Sequence, residues 1–490
     1  PEPEPELRLF SSLANNTFIG PNAYQYLYGE SVSISSDGNR IAIGAPDYDA
    51  NPSNSGSGAV YVYQKDSTST TAPVGWSILG SVIEGPTSYG EFGMSIDLSY
   101  DGNYLVVGAI YGGTAGNGEV YTYYWDGSNW VRNNSTNKTP NTLSGPSIIV
   151  PPAYPTGAQL GYNVKFRHGN TTATTSNSIL LVTEVSSSAA PFAINMYYID
   201  SLYDWSEFGL NDLSFAPPLI FWSSPRGGGA ANATNLLSEG IPTHNSISIS
   251  DNAVYDALLA NRKGTIAVGI PDAANGGTNR GEVVVSVYDS TNATNPVSPS
   301  YSGWAPIYLR GTEDGENFGN STALNYDGTI LAVGATRSLG KGYARVYIYD
   351  SLLAPPLWVQ RGQDFAIGAH NGSLSGYSIA ISDDGNIVAV GELRYKTNTS
   401  STNSEGRVRI YNWSSARRNY YLINEIIGGI SVPGVLSADN NEQLGYSLEM
   451  SSNGTTLAIG SQNYDNSRGR VMVVDLKEIS REPQPEPEPE

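Results

Sequence analysis

One short pattern recurs along this chain of 490 residues and limits what the chain can fold into. It is a turn ending in glycine, followed by an apolar run that closes on a small residue. Asp-Gly or Asn-Gly between alternating apolar residues is the strongest short-range sign of a β-hairpin. A period of tens of residues is typical of stacked copies of one unit. The copies read SDGNRIAIGAP, YDGNYLVVGA, RKGTIAVGIP, YDGTILAVGA, DDGNIVAVGE and SNGTTLAIGS.

The small residue that closes each copy gives the number of units. The gap between Gly108 and Gly269 is long enough for two of them. Within that gap, NSILLVTEV (177–185) has Thr183 where the other copies have glycine, and LGYNVKF (160–166) matches LGYSLEM (444–450). The chain is therefore predicted to contain seven units. The closing glycines are Gly44, Gly108, Gly269, Gly334, Gly391 and Gly460.

Each unit follows one order of strands. An aromatic residue or Leu plus Gly opens an alternating first strand, the turn and the apolar run follow, a Val/Tyr-rich third strand comes next, and a fourth strand often starts at Trp. Four antiparallel strands repeated around an axis are typical of a propeller blade. The sequence thus predicts an all-β, seven-bladed β-propeller of four-stranded antiparallel blades, with the tyrosines of the third strands packed between blades. A row of separate β-sandwiches is the alternative.

The ends of the array suggest how the ring closes. The seventh unit stops after its third strand, GRVMVVDL (469–476), and the segment 7–20 reads as a fourth strand. The N-terminal strand is therefore predicted to complete the last blade. This gives one propeller domain over 7–476, with a Pro-Glu spacer at 1–6 and a second, Pro-Glu-rich spacer at 477–490.

The repeat resembles the FG-GAP repeat of the integrin α-subunit propeller, carried here by FGMSIDLSYDGNYLVVGA and FGNSTALNYDGTILAVGA. The resemblance covers about 28–476 and implies the propeller fold. Many repeats of that family hold calcium on an Asp-x-Asp-x-Asp-Gly loop, which is shortened here to SSDG, SYDG, NYDG, SDDG and SSNG. Because calcium takes six to eight oxygens, no metal site and no cofactor are predicted. Asp47, Asp49 and Asn51 are the remaining candidates, and a polar loop is the favoured interpretation.

The amino-acid composition limits the classes of partner that the chain is expected to bind. A net charge of −20 without a basic patch argues against nucleic acid and anionic lipid. Cysteine is absent, which removes disulfides, thiolate metal sites and a cysteine nucleophile. No apolar run approaches the roughly 18 residues of a transmembrane helix, so insertion into a membrane is not expected.

Residues that could support catalysis do not form a recognisable set. His168, His244 and His370 fall in different units. The adjacent acids Glu313/Asp314 and Asp383/Asp384 could act on a sugar, but neighbouring acids on one loop more often form a solvated turn. The glycine-rich RGGGA (226–230) lacks the lysine of a phosphate-binding loop. The chain is therefore predicted not to be an enzyme.

Acceptor sequences for N-linked glycans, Asn-x-Ser/Thr, fall mostly in turns and loops, where acceptors should lie. Asn133, Asn320 and Asn412 also match the pattern, and Asn320 is expected to be buried and unmodified because it lies inside FGNS. Covalent glycans are predicted on Asn15, Asn134, Asn137, Asn170, Asn232, Asn292, Asn371, Asn398 and Asn453.

The two ends share one composition, PEPEPE and PQPEPEPE. Alternating proline excludes helix and sheet and favours an extended polyproline II rod. Matching spacers suggest one bead of a longer chain, fibre or surface layer. The leading hypothesis is thus an extracellular or cell-surface structural and adhesive glycoprotein that associates with itself or with other glycoproteins and glycans. A lectin-like propeller binding a glycan or a protein is the alternative, and an enzyme acting on polysaccharide is the third.

Overall fold

A computed structural model of the chain describes most of the repeat region. The residues described are 16–21, 26–49, 55–70, 73–113, 116, 118–132, 148–149, 159–167, 179–184, 193–199, 205–207, 246–250, 254–255, 262–289, 305–337, 340–353, 357–398, 404–429 and 441–476.

The described strands form seven sheets, each containing an antiparallel path of four strands. We number the sheets as blades 1 to 7 and their strands A to D from the inner edge outward. Strand A of each blade contacts strand A of the next, and blade 7 contacts blade 1, so that the ring is closed. The predicted seven-bladed β-propeller is confirmed. Among the described residues, no helix is both long and apolar enough to cross a membrane.

The strands follow the order predicted from the sequence, with short additional pairings on strand C of blades 1 and 2 and on strand B of blade 4. Their bounds, A to D, are Val32–Ile34, Arg40–Ala45, Ala59–Lys65 and Trp76–Ile78 in blade 1; Phe92–Leu98, Tyr104–Ala109, Glu119–Trp125 and Trp130–Arg132 in blade 2; Leu160–Arg167, Ile179–Glu184, Ala193–Ile199 and Trp205–Glu207 in blade 3; Ser246–Ile249, Arg262–Ile270, Glu282–Asp289 and Ala305–Arg310 in blade 4; Phe318–Leu324, Ile330–Ala335, Tyr343–Asp350 and Leu357–Gln360 in blade 5; Ser375–Ile381, Ile387–Glu392, Arg407–Ser414 and Asn419–Ile427 in blade 6; Leu448–Met450, Thr456–Ser461, Arg470–Asp475 and the N-terminal Thr17–Ile19 in blade 7. The additional strands are Ile83–Glu84, Ile148–Ile149 and Val254–Tyr255, and the helix is a single turn, Tyr464–Ser467.

The N-terminal strand completes blade 7, as predicted. Thr17 pairs with Met472 and Ile19 with Arg470 in an antiparallel ladder. Phe18 is 1 % exposed and makes edge-on contacts with Trp76 and Tyr63 of blade 1. One short strand therefore joins the last sheet to the first, and residues 7–15 of the predicted strand lie outside the described residues.

The repeated sequence signature marks the contact between neighbouring blades. In blade 2, the hydroxyl of Ser95 donates to the carbonyl oxygen of Gly161 in blade 3, at 2.7 Å. A Cβ on Gly108, the closing glycine of blade 2, would overlap that same carbonyl, so only glycine lets the strands approach this closely. The same serine-to-glycine bond joins six of the seven interfaces, through Ser31–Gly93, Ser95–Gly161, Ser246–Gly319, Ser321–Gly376, Ser378–Gly445 and Ser447–Gly29.

The turn between strands A and B is held by its own side chains. In blade 1, Asp37 Oδ1 accepts bonds from the Ser35 hydroxyl at 2.6 Å and from the backbone N–H of Asn39 at 2.9 Å. Burial alone would raise the pKa of Asp37, but these bonds outweigh it and lower the pKa. Asp101, Asp384 and Asn453 make the same bonds in blades 2, 6 and 7.

The core consists of apolar layers between blades. The predicted packing role is confirmed for six strand C tyrosines, whose exposed fractions are below a tenth. Such faces cannot be buried by a single sheet, which explains why the unit occurs only in a ring. The buried tyrosines of strand C are Tyr61, Tyr121, Tyr123, Tyr343, Tyr347 and Tyr411.

Candidate functional site

The seven A strands surround a central channel. The position after the first glycine of each A strand, x in FG-x-S, lies at the end where strand A begins. We call this end the mouth and the end next to the A–B turns the base. The described mouth residues are Glu30, Met94, Tyr162, Asn320, Tyr377 and Tyr446.

Backbone geometry fixes the approach to the mouth. The residue three positions before each mouth residue, directly ahead of the residue-glycine pair that opens strand A, has a positive φ in all six units where it is described. For Glu91 this φ is 51°. Such a conformation costs about 1 kcal/mol for a residue other than glycine, and its recurrence shows that the fold imposes it. The six residues are Leu27, Glu91, Gln159, Asn317, Leu374 and Gln443.

Glu30 is the central group of the mouth. It is 8 % exposed, and its Oε1 accepts a hydrogen bond from the Tyr446 hydroxyl at 2.9 Å. The Tyr446 ring lies 5.3 Å from the Tyr377 ring, centroid to centroid. Glu30 Oε2 is buried and has no hydrogen-bond partner among the described residues. A buried carboxyl oxygen without a partner costs roughly 1–3 kcal/mol, and Glu30 Oε2 is the carboxylate oxygen among the buried side-chain atoms of the described residues that have none.

Negative charge accumulates around Glu30. Burial, and to a smaller extent the charges of Asp47 and Glu91, raises the pKa of Glu30 to about 8. The hydrogen bond from Tyr446 lowers this pKa but does not offset the rise. Burial and the charge of Asp47 raise the pKa of Glu91 to about 7. Burial and Asp49 also raise the pKa of Asp47. None of the three mouth acids forms an ion pair with a described residue.

Tyrosines continue the mouth from Glu30 towards blade 3. Burial, with the charges of Tyr377, Glu30 and Tyr111, raises the pKa of Tyr162 to about 12. The backbone N–H of Tyr111 donates to the carbonyl of Gly90 at 3.2 Å, and the Tyr111 side chain is 41 % exposed. The mouth therefore combines acids with phenol rings.

The base of the channel has a different chemistry. A cavity of about 160 Å³ is lined there by residues from all seven blades. Lys165 Nζ of blade 3 lies 3.2 Å from Glu449 of blade 7 and 3.6 Å from Asp97 of blade 2. Asp97 also accepts bonds from the Ser33 hydroxyl and the Phe166 N–H. One lysine thus pairs with two acids across the channel.

Backbone hydrogen bonds run around the base from blade to blade. Ser36 N–H donates to Tyr100, Ser452 to Ser36, Asp383 to Ser452, and Tyr326 to Asp383, at 2.8–3.3 Å. The rings of Tyr100 and Tyr326, from blades 2 and 5, meet across the channel at 6.4 Å. The base therefore ties blades 5, 6, 7, 1 and 2 together.

The metal candidates of the sequence are not brought together as a ligand set. Asp49 Oδ1 accepts a bond from the Gly56 N–H at 2.6 Å, Asp47 faces the mouth, and Asn51 lies outside the described residues. Within the described part of the chain, no three His, Cys, Asp or Glu side chains are grouped so as to hold a metal ion.

The adjacent acids are used in turns and ion pairs. Glu313 pairs with Arg337, and Asp314 pairs with Arg280 at 2.8 Å. Asp383 belongs to the backbone ring at the base, and Asp384 holds its turn. His370 Nδ1 contacts the carbonyl of its neighbour in an exposed loop, and His168 and His244 lie outside the described residues.

The glycan acceptors that the structure describes are on the surface. Asn371, Asn398 and Asn453 are exposed. Asn320 is only partly buried, and its Nδ2 donates to the Tyr377 carbonyl at 2.9 Å. Asn15, Asn134, Asn137, Asn170, Asn232 and Asn292 lie outside the described residues.

A comparison of the chain with protein-family models found no match, and a comparison with curated proteins found none either. The mouth was not predicted as a site from the sequence. A signal was present, because the position after the first glycine changes from unit to unit (Glu, Met, Tyr, Asn) while its neighbours repeat.

Proposed function

We propose that this chain is an extracellular structural and adhesive module, one bead that joins others through its Pro-Glu spacers or through its surface. The observation that carries the proposal is the closure of blade 7 by Thr17–Ile19. Both ends of the ring lie side by side in one blade, and the chain has no cysteine, so closure involves no disulfide. The exposed acceptors Asn371, Asn398 and Asn453 support a glycosylated surface.

We further infer that the repeat is of the FG-GAP type. The glycine of the FG pair and the glycine of the GAP run meet across a blade interface, as in Gly161 and Gly108. Such a contact gives a physical reason for both halves of that signature. The similarity supports the fold and not a particular partner.

Electron microscopy of native material tests the structural function. Filaments, lattices or sheets of rings are expected, with mass spectrometry showing sugar on the exposed asparagines. A protein isolated as single rings that carry no glycan and bind no cell or matrix material would contradict the proposal.

A second candidate function is ligand binding at the mouth. The partnerless Oε2 of Glu30 favours it, since a ligand would supply the missing partner. An enzyme is less well supported, because the adjacent acids described here are used in turns and ion pairs.

A further inference from the structure

We propose that the mouth binds a saccharide, with ligand hydroxyls bonded to Glu30, Glu91 and Asp47 and a sugar ring against the tyrosines. The inference rests on the proposed adhesive function, to which it adds the chemistry of a partner. The site is formed by Glu30, Asp47, Glu91, Tyr111, Tyr162 and Tyr446.

The first step is the position of Glu30. Its carboxyl is more than nine-tenths buried and is held by Tyr446, so its orientation is fixed before any ligand arrives. The free oxygen, Oε2, belongs to the same group that senses the charges of Asp47 and Glu91. Asp47 and Glu91 are close enough for their charges to act on Glu30, so a ligand group that reaches this oxygen also lies in the field of these two acids.

The second step is the kind of hydrogen bond required. The carboxylates accept bonds, whereas the phenol groups of Tyr111 and Tyr162 can both donate and accept. Burial keeps a proton on Glu30 near neutral pH, since its pKa is about 8, and its carboxyl then also offers a donor. A hydroxyl donates and accepts at one atom, while an ammonium or guanidinium group only donates. Neighbouring hydroxyls of a sugar thus fit the whole set better than a cation does.

The third step is the aromatic surface. Tyr111 is 41 % exposed and Tyr162 is partly exposed, and Tyr111 lies near enough for its charge to act on Tyr162. Phenol rings combine an apolar face with a polar tip, which suits the C–H face and the hydroxyl edge of a pyranose. The mouth therefore offers both surfaces that a sugar ring presents.

The test measures binding of methyl pyranosides to the full chain. Methyl α-mannoside, methyl β-galactoside and methyl β-glucoside are titrated by saturation-transfer NMR and calorimetry, with propylammonium and methylguanidinium as cationic probes. At least one glycoside is expected to bind. Glu30→Met is expected to weaken that binding roughly tenfold or more, since it removes hydrogen bonds to a carboxyl group. Met94 occupies the same position in blade 2, which supports folding of this variant.

Glu313→Gln is the matched control, because Glu313 is an acid of the same type that is largely exposed and paired with Arg337. It should leave glycoside binding unchanged. Tyr446→Phe, which leaves Glu30 without its donor, should weaken binding less than Glu30→Met does. Binding of the cations alone, binding of no probe, or equal glycoside binding by the Glu30 variant would each overturn the inference. Filaments in native material together with any of these results would leave the structural function standing.

Discussion

The two ends of the channel are built from the same seven strands but treat charge in opposite ways. At the base, Lys165 pairs with both Asp97 and Glu449, and backbone bonds link five blades. At the mouth, burial and the neighbouring acids raise the pKa values of Glu30 and Glu91, and no described cation pairs with Glu30, Asp47 or Glu91. The charged groups at the base have partners within the ring, whereas the acids at the mouth lie in an electrostatically unfavourable environment.

This difference suggests that, within one repeat, the end of strand A at the base serves stability and the end at the mouth serves function. Proteins tolerate destabilising groups chiefly where a ligand will use them. Because the repeat supplies an ion-paired and well-bonded alternative at the base, the fold does not require the unpaired acids at the mouth. The base therefore helps to hold the ring together, and the mouth is the end for which we propose binding.

The largest expected effect comes from breaking the closure on which both ends depend. Phe18→Ala removes a ring that is 1 % exposed between blades 7 and 1 and should lower the free energy of unfolding by about 3–5 kcal/mol. Urea denaturation measures it. Ile78→Ala is the control, since Ile78 is 45 % exposed and should cost under about 1 kcal/mol. Equal losses in the two variants would show that the N-terminal strand does not hold the ring.

The next effect concerns pH and the mouth alone. Glu30 has a pKa of about 8 in the folded chain and about 4.5 when unfolded, so between these values the folded state holds a proton that the unfolded state has released. The free energy of unfolding should therefore fall as pH rises from about 5 to 8, on the order of 3 kcal/mol. Asp47, Glu91 and Tyr446 face Glu30, and Glu91 shifts in the same direction.

Urea denaturation at several pH values measures this slope. In Glu30→Met, the decrease in the free energy of unfolding between about pH 5 and 8 should be smaller, because only the contribution of Glu91 is left. A variant that keeps the full slope would assign the effect to other groups and would remove the contrast between mouth and base.

Much of the fold could be predicted because the constraints repeat. The turn glycines, the closing glycines and the alternating strands each recur, and the missing fourth strand of the last unit matched the segment that ends at Gly20. The channel could not be predicted in this way. Lys165, Asp97 and Glu449 are far apart in the chain and meet only because the ring brings blades 2, 3 and 7 around one axis. The same holds for Glu30 and Tyr446, whose contact crosses the closure.

A smaller effect is expected from opening the ion pairs at the base. Lys165→Met leaves Asp97 and Glu449 without their cation and should cost about 2 kcal/mol, less than a fully buried pair because Lys165 is 23 % exposed. Thermal and urea denaturation measure the loss. Lys341→Met, at an exposed position, should stay within about 0.5 kcal/mol of the wild type. If Lys165→Met were equally neutral, the base would contribute no more electrostatic stability than the mouth.

The smallest effect lies in the turns next to the base. Asp384→Ala removes the acceptor for the Ser382 hydroxyl and the Asn386 N–H and should cost about 1 kcal/mol. Asp384→Asn should cost less than about 0.5 kcal/mol, because Asn453 makes the same bonds in blade 7. Urea denaturation with and without calcium compares the two variants with the wild type, and added calcium should change none of them. Two results would mean that the turn needs the charge of Asp384: a stability loss in Asp384→Asn as large as that in Asp384→Ala, or stabilisation of the wild type alone by calcium. The base would then contain an unsatisfied acid like that of the mouth.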